Sequence, residues 1–265
     1  MKPVTISSID LARGVVDGLI CVYKRRGETP LESLGRLREL YPILNDIPLS
    51  YAGRLDPLAE GVLLVLSGAY NKRREEFLSL DKVYEVEVLT GVATDTGDTL
   101  GLVTYFNPVD ISDDLFKTIC NSFVGTYTST YPAYSSKTVN GVPLHVLAKE
   151  GKISEVELPT FTSYIHSIEY VESRSVSMVD VLSIIENTHA LVSGEFRQGP
   201  ILDSWKKCTH SEVLKAFRIR VSASSGTYMR TLANDISKKC GSEGIAFHIK
   251  RTRIGQFDIS DCIDL

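Results

Sequence analysis

Polar and apolar side chains alternate with a two-residue period in two segments of the chain. In residues 83–89, Tyr84, Val86 and Val88 share one face, and two glutamates take the other. Residues 217–223 repeat the pattern, with an aromatic or aliphatic side chain at every second position. Successive side chains of a β-strand point to opposite faces, so both segments predict half-buried strands.

Two other segments carry helix signals. Thr29-Pro30-Leu31-Glu32 combines a capping threonine, a proline suited to the first turn and the glutamate of a capping box. Apolar side chains then recur at helical spacing at Leu34, Leu37, Leu40 and Tyr41.

A second helix is predicted after the turn at residues 224–227. Met229, Leu232, Ala233 and Ile236 have the i, i+3, i+4, i+7 spacing of a buried stripe. Thr227 is the expected N-cap, which places Arg230 in the first turn. A cation is unfavourable at a helix N-terminus, so its presence there indicates a nearby anion.

The mixture of strand and helix segments predicts a mixed α/β (α+β) fold. The chain has 265 residues, of which 43% are hydrophobic and 23% charged, as in ordinary globular proteins. Length alone allows one large domain or two small ones. No repeat or linker divides the sequence, so we expect a single catalytic domain over residues 1–265.

Several classes of protein are disfavoured. The longest uncharged apolar run, residues 61–69, is too short to span a bilayer, and the first residues do not form a secretory signal. The five cysteines are odd in number and never form a C-x-x-C pair, which indicates reduced thiols rather than a disulfide framework or a zinc site. We therefore expect a cytoplasmic protein that has no metal, no cofactor and no membrane partner.

Positive charge is concentrated near the C-terminus. The whole chain has a net charge of −4, yet residues 197–253 carry 12 Lys or Arg against 4 Asp or Glu. This excess is consistent with a phosphate-facing surface, or with the ordinary variation of charge along a chain.

Asp56 is the first candidate for chemistry. It lies between Gly53 and Gly61, in a segment that leads directly into the apolar run of residues 62–66. Asp-Pro is a common turn, so Asp56 could be purely structural. Its position at the end of a buried strand is nevertheless typical of a reactive side chain held over a cleft.

The chain resembles the TruB family of pseudouridine synthases in six motifs that occur in the family's order. The segment GRLDPLAEGVLLVLSG resembles the family's nucleophile motif. The other five motifs are matched by the segments VYKRRGETPLESLGRLREL, LDKVYEVEVLTGVATDTGDTLG, YPAYSSKTVNGVPLHVLAKEG, SASSGTYMRTLANDI and RTRIGQF. The resemblance extends from about residue 17 to residue 257. It implies the pseudouridine-synthase fold, with a central, largely antiparallel sheet flanked by helices.

The resemblance also implies a reaction, the isomerisation of a uridine to pseudouridine in the T stem-loop of tRNA, conventionally at position 55. Such an enzyme must flip its target base out of the RNA. Hydrolytic glycosidases need two carboxylates, whereas an isomerase that excludes water needs only one. Asp56 is the implied nucleophile, Arg230 would pair with it, and Tyr84 would stack on the uracil and serve as a base in a glycal route. The strand pattern alone, without the resemblance, predicts that Tyr84 is a structural tyrosine of the core.

Other positions match family residues near the substrate or carry charge suited to phosphate. Tyr51 occupies the position of the family's histidine and can stack on a base. The further candidates for substrate binding are Asp98, Tyr228, Lys24, Lys82, Lys137, Arg197, Lys250 and Arg251.

Two departures from the family concern whole segments. The chain ends eight residues after Phe257, so we expect it to lack the C-terminal PUA domain of many TruB enzymes. About 45 residues separate two strands that the family core joins quickly, which predicts an insert near residues 173–216 containing an amphipathic helix. The insert either contacts RNA through Arg197 or is surface decoration. A thumb loop is expected near residues 129–152.

Two alternatives to a T-arm synthase remain open from the sequence. One is the same chemistry on another RNA. The other is an RNA chaperone that folds tRNA with dispensable catalysis, which the joint presence of Asp56, Tyr84 and Arg230 disfavours. We expect a monomer.

Overall fold

A computed structural model describes residues 5–194, 197–208 and 212–265. The chain forms two compact units, each built from separate segments. Unit 1 comprises Met1–Tyr84, Ala190–Gly194 and Lys250–Leu265, and unit 2 comprises Glu85–His189 and Glu195–Ile249, counting their described residues. The expectation of one catalytic domain stays a prediction.

Unit 1 contains both helices and strands. Its strands are β1 (Gly18–Lys24), β2 (Leu49–Ala52), β3 (Glu60–Ser67), β13 (Phe257–Asp258) and β14 (Ile263–Asp264), and its helices are α1 (Ser8–Ala12), α2 (Pro30–Leu40) and α3 (Arg74–Leu78). Strand β3 is antiparallel to both β1 and β2, and β14 is parallel to β1.

Unit 2 has its own set of strands. These are β5 (Val92–Thr94), β6 (Val103–Phe106), β7 (Gly125–Thr130), β8 (Thr138–Val139), β9 (Val142–Pro143), β10 (Thr160–Ser177) and β11 (Val213–Ala223). Its helices are α4 (Asp113–Asn121), α5 (Leu144–Lys149), α7 (Gln198–Lys206) and α8 (Met229–Lys239). Strand β10 pairs antiparallel with both β11 and β7. Strands β4 (Lys82–Thr90) and β12 (Gly244–Ile254) and helix α6 (Met178–Leu191) have residues in both units.

The predicted fold class is confirmed. The main sheet has ten strands, most of the described pairings are antiparallel, and helices pack on it within each unit. In unit 1, Leu34 and Leu37 of α2 pack against β-strand residues such as Val22 and Leu63. In unit 2, Trp205 of α7 is fully buried in the main apolar cluster. No helix in the described part of the chain is long and apolar enough to cross a membrane.

Most local expectations hold, and the exceptions have physical reasons. Thr29 and Glu32 form the predicted capping box of α2, but Leu40 at the end of that helix is 55% exposed. The N-cap of α8 is Tyr228, not Thr227, because the Thr227 hydroxyl donates to the carbonyl of Ser224 instead. Arg230 lies in the first turn of α8, as predicted.

The boundaries of the predicted insert require correction. Strands β10 and β11 remain paired up to Ser177 and Val213, so both ends of residues 173–216 continue a long hairpin. Only the residues between those strands form the insert proper, which contains α6 and α7. Met178, Val181, Leu182 and Ile185 are buried in α6, as the amphipathic pattern predicted.

Candidate active site

Asp56 lies in the loop that joins β2 to β3 in unit 1. The amide of Ala59 donates to the carbonyl of Asp56 at 3.0 Å, which closes a turn at Asp56. The carbonyl of Pro57 accepts from the amide of Gly27 at 2.8 Å. The Asp56 side chain is half-buried. Backbone hydrogen bonds therefore hold the chain in place at both Asp56 and Pro57.

Arg251 of β12 holds the two ends of this loop. Its guanidinium donates to the carbonyl of Val62 at 2.8 Å, to that of Arg54 at 3.1 Å and to that of Gly53 at 3.4 Å. The side chain is only 1% exposed. Because a planar guanidinium presents several donors in fixed directions, one side chain can join backbone on both sides of Asp56.

Gly61 permits this close approach of backbone. Its φ is +109°, and a Cβ at this position would collide with the carbonyl oxygen of Arg251. Strands β3 and β12 run parallel at this point, with Arg251 opposite Gly61. The glycine is thus required by both conformation and space.

Lys24 supports the same loop from β1. Its ammonium donates to the carbonyl of Ala59 at 2.6 Å and to that of Arg25 at 3.0 Å, and the side chain is fully buried. Burial lowers the pKa of Lys24 to about 8, although the charges of Glu28 and Asp56 act in the opposite direction. Asp56 therefore has a buried cation in its electrostatic environment.

Lys82, at the start of β4, is also buried. Its ammonium donates to the carbonyl of Leu78 at 2.7 Å and to that of Leu80 at 2.5 Å, where the chain leaves α3. Burial and the charge of Arg251 lower the pKa of Lys82 to about 8. The sequence predicted that Lys24, Lys82 and Arg251 contact phosphate. We correct that assignment, because their head groups are buried against backbone carbonyls.

The remaining candidates of unit 1 are aromatic or partly exposed. Tyr84 lies in β4 and is 8% exposed. Tyr51 of β2 is half-buried and packs against the apolar cluster that contains Leu63 and Val65. Lys250 is half-buried with its ammonium 5.9 Å from the centre of the Tyr23 ring. Roles for these residues in substrate binding or catalysis stay predictions.

Arg230 is buried in unit 2, with 5% of its surface exposed. Its guanidinium donates to the carbonyl of Thr96 at 2.8 Å and to that of Tyr134 at 3.1 Å. The carboxylate of Asp98 lies 3.6 Å away. The helix start, the Thr-Asp-Thr-Gly-Asp turn and the thumb loop thus meet at one guanidinium. The pairing with Asp56 that the resemblance implies stays a prediction.

Asp98 has structural contacts that the sequence did not predict. It is 4% exposed and accepts hydrogen bonds from the Thr96 hydroxyl at 2.7 Å and from the amide of Leu100 at 2.9 Å. Gly97, between Thr96 and Asp98, has a φ of +74°, and a Cβ at this position would lie 3.5 Å from the Cβ of Arg230. Asp98 therefore shapes the turn that holds Arg230, and we reassign it from direct substrate binding to that role.

Tyr228, directly before α8, belongs to an aromatic cluster in unit 2. Its ring centre lies 5.4 Å from that of Tyr131 and 5.3 Å from that of Phe161. Lys137, exposed on the thumb loop, has its ammonium 5.2 Å from the centre of the Tyr131 ring. Sequence reasoning missed Tyr131, although an aromatic residue at the start of the thumb motif was a usable signal.

Arg197, the insert's candidate RNA contact, binds protein groups. Its guanidinium donates to Asp95 at 2.8 Å and lies 5.0 Å from the centre of the Tyr134 ring. The Tyr134 hydroxyl donates to the same carboxylate oxygen at 3.2 Å. Asp95 and Tyr134 were not predicted as part of the site.

Comparison with known proteins defines the class to which this fold and site belong, the pseudouridine synthases. The family described as TruB family pseudouridylate synthase (N terminal domain) matches residues 43–187. The chain belongs to the TruB family.

Curated relatives match nearly the whole chain. It is 31% identical to tRNA pseudouridine synthase B of Aromatoleum aromaticum, over 96% of this chain and 68% of the relative. It is 32% identical to tRNA pseudouridine synthase B of Thermosipho melanesiensis, over 93% of this chain and 67% of the relative.

Solved structures show the same fold at lower identity. A chain in the crystal structure of a Cbf5-Nop10-Gar1 complex aligns with a TM-score of 0.61 and 19% identity, over 96% of this chain. A chain in an H/ACA RNP bound to a substrate RNA containing 2'-deoxyuridine aligns with a TM-score of 0.57 and 17% identity. The present chain spans about half of each of these two chains, 54% and 53% respectively.

Proposed function

We propose that this chain isomerises uridine to pseudouridine in tRNA. The observation that carries the proposal is similarity, over more than nine-tenths of this chain, to relatives named tRNA pseudouridine synthase B. The fixed loop around Asp56 supports it, because an attacking carboxylate must be held in place. We further propose the T-arm uridine at position 55 as the target, a monomeric enzyme and a cytoplasmic location.

In the proposed reaction the carboxylate of Asp56 attacks C1′ as the bond from C1′ to N1 of uracil breaks. The freed uracil turns, its C5 bonds to C1′, and Asp56 leaves. The proton on C5 is then lost while N1 gains one, so the product is an isomer and no other reactant is consumed. Tyr84 and Arg230 are the other residues that we assign to catalysis, Tyr84 as a stacking ring and as the acceptor of the C5 proton.

The test uses purified protein and a tRNA transcript labelled with tritium at C5 of uridine, since pseudouridine formation releases that label. Asp56→Asn should release none above background, because the amide cannot attack C1′, while its affinity for tRNA stays within a few-fold. Asp46→Asn, the same change at an exposed position in unit 1, is the matched control and should behave as the wild type.

Turnover by Asp56→Asn at the wild-type rate would refute the assignment of Asp56. A transcript with cytidine at position 55 tests the target, because it should release no label from the T arm. Release from ribosomal RNA but not from tRNA would instead favour the same chemistry on another substrate.

A further inference from the structure

The helical insert of unit 2 contacts the turn formed by residues 95–103, called here the 95–103 turn. From α6, His189 Nε2 lies 3.5 Å from the carbonyl of Thr99. From α7, Trp205 Nε1 donates to the carbonyl of Gly101 at 3.2 Å, and the Ser204 hydroxyl accepts from the amide of Val103 at 3.1 Å. The ion pair between Arg197 and Asp95 adds a fourth contact at 2.8 Å. The insert therefore contacts the 95–103 turn from its first residue to its last.

The same turn holds Arg230 by the carbonyl of Thr96 and the carboxylate of Asp98. Tyr134, whose carbonyl also accepts from Arg230, directs its hydroxyl to Asp95. Arg197 is thus linked to Arg230 through Tyr134, which contacts both side chains, and through Asp95, the chain neighbour of Thr96.

The backbone of Arg197 indicates that this position serves more than stability. Its φ is +59°, a left-handed conformation that is unfavourable for any residue with a Cβ. Its ion pair with Asp95 is partly exposed, and such pairs contribute little to the free energy of unfolding. Strained residues of this kind persist mainly where a functional geometry is being held.

We propose that the insert positions Arg230, with Arg197 as its principal positioning residue. It does so by fixing the 95–103 turn and the side chain of Tyr134. This replaces the expectation that Arg197 contacts the RNA backbone, because its guanidinium is engaged by Asp95 and Tyr134. The inference rests on the proposed function, in which Arg230 is assigned to catalysis.

The kinetic test is Arg197→Ala on tRNA across a range of salt concentrations. Turnover should fall on the order of tenfold, because a small displacement of a catalytic group is costly. The dissociation constant for tRNA and its salt dependence should not change. Lys207→Ala, an equal loss of charge at an exposed position of the insert, should leave turnover unchanged. Arg197→Lys should recover part of the lost rate.

Two kinetic outcomes would overturn the inference. The first is wild-type turnover in Arg197→Ala. The second is weaker binding with a salt slope reduced by about one unit, which would mark Arg197 as a phosphate contact.

Hydrogen exchange provides a readout that is independent of activity. Amides within the 95–103 turn should exchange several-fold faster in Arg197→Ala and in Asp95→Asn, whereas amides of β1 and β3 should keep their wild-type rates. Unchanged exchange in the turn would overturn the inference even in an active enzyme. If the wild type fails to modify tRNA, the proposed function fails, but the exchange data still decide whether the insert holds the turn.

Discussion

Tyr84 offers the sharpest single-residue test after Asp56. We predict that Tyr84→Phe leaves the affinity for tRNA nearly unchanged, because the ring face is preserved. Turnover should fall on the order of 10²-fold or more, because the hydroxyl can no longer accept a proton. Single-turnover kinetics with labelled tRNA, beside direct binding, separate the two effects. A Tyr84→Phe enzyme with the wild-type rate would reduce Tyr84 to a stacking platform.

The burial of two of the three buried cations, Lys82 and Arg251, could be predicted from the sequence. Lys82 shares the two-residue face of Tyr84 and Val86 in β4, so alternation alone predicts its burial. Arg251 likewise continues the buried face of Phe247 and Ile249 in β12. Both residues were predicted to contact phosphate because of their positive charge, although the strand period indicates burial.

The partners of those cations could not be predicted from the sequence. Lys24 donates to the carbonyl of Ala59, which is 35 residues away, and Arg251 donates to that of Val62, which is 189 residues away. Backbone carbonyls have no residue-type signature, so the spacing of motifs cannot identify them. Asp56 was identifiable because its flanking residues form a motif, whereas the groups that hold its loop do not.

At the scale of elements, strands with one buried face were predicted well and the exposed hairpin was not. Alternation identified β4 and β11, whose inward residues are buried as expected. The far end of β10 has exposed residues on both faces, including Glu172, Arg174 and Ser175, and therefore no alternation to detect. That is why the insert was predicted to begin several residues too early.

The junction of β3 and β12 yields a prediction about stability. Gly61→Ala should lower the free energy of unfolding by about 2 kcal/mol or more, because it combines a disfavoured φ with a collision against the Arg251 carbonyl. Gly35→Ala, at an exposed position in α2 with open space around it, should instead stabilise by roughly 0.5–1 kcal/mol. Urea unfolding of both variants measures the difference. Equal midpoints for Gly61→Ala and the wild type would contradict the close approach described here.

At the scale of the whole molecule, the absence of a sequence linker did not predict how the chain is organised. Each unit is assembled from segments far apart in sequence, with Lys250–Leu265 belonging to the same unit as the first 84 residues. Linker composition reveals boundaries only between domains that follow one another along the chain. Here three of the unit boundaries fall within single elements, namely β4, β12 and α6, rather than in linkers.

Burial of titratable groups predicts how global stability depends on pH. Burial raises the pKa of Cys120 to about 12 and that of Cys240 to about 11, from an ordinary value of 9.0. The hydrogen bond to Cys262, followed by burial, raises the pKa of Cys21, and burial raises that of Cys208. Above pH 9 the unfolded chain loses these protons while the folded chain keeps them. Each such thiol therefore stabilises the fold below pH 9, and that contribution is lost as the pH rises.

The buried lysines act in the opposite direction. Lys24 and Lys82 have a folded pKa of about 8 against an ordinary 10.5, so between those values the unfolded chain binds more protons and stability rises with pH. Each proton changes the free energy of unfolding by about 1.4 kcal/mol per pH unit. More groups lose stability than gain it above pH 9, because four thiols have raised pKa values and two lysines have lowered ones. We predict that the free energy of unfolding falls between pH 9 and pH 10, as urea denaturation at several pH values would show.

Two variants separate the opposing contributions, because they should change the slope of stability against pH in opposite directions. Cys120→Ala removes one thiol and should make the fall above pH 9 shallower by up to about 1.4 kcal/mol per pH unit. Lys24→Met removes one lysine that gains stability with pH, so it should make the fall steeper by a similar amount. Both substitutions disturb packing, but a packing defect alone lowers stability equally at every pH and leaves the slope unchanged. If both variants change the slope in the same direction, or leave it at the wild-type value, these groups do not titrate in the folded protein as their burial requires.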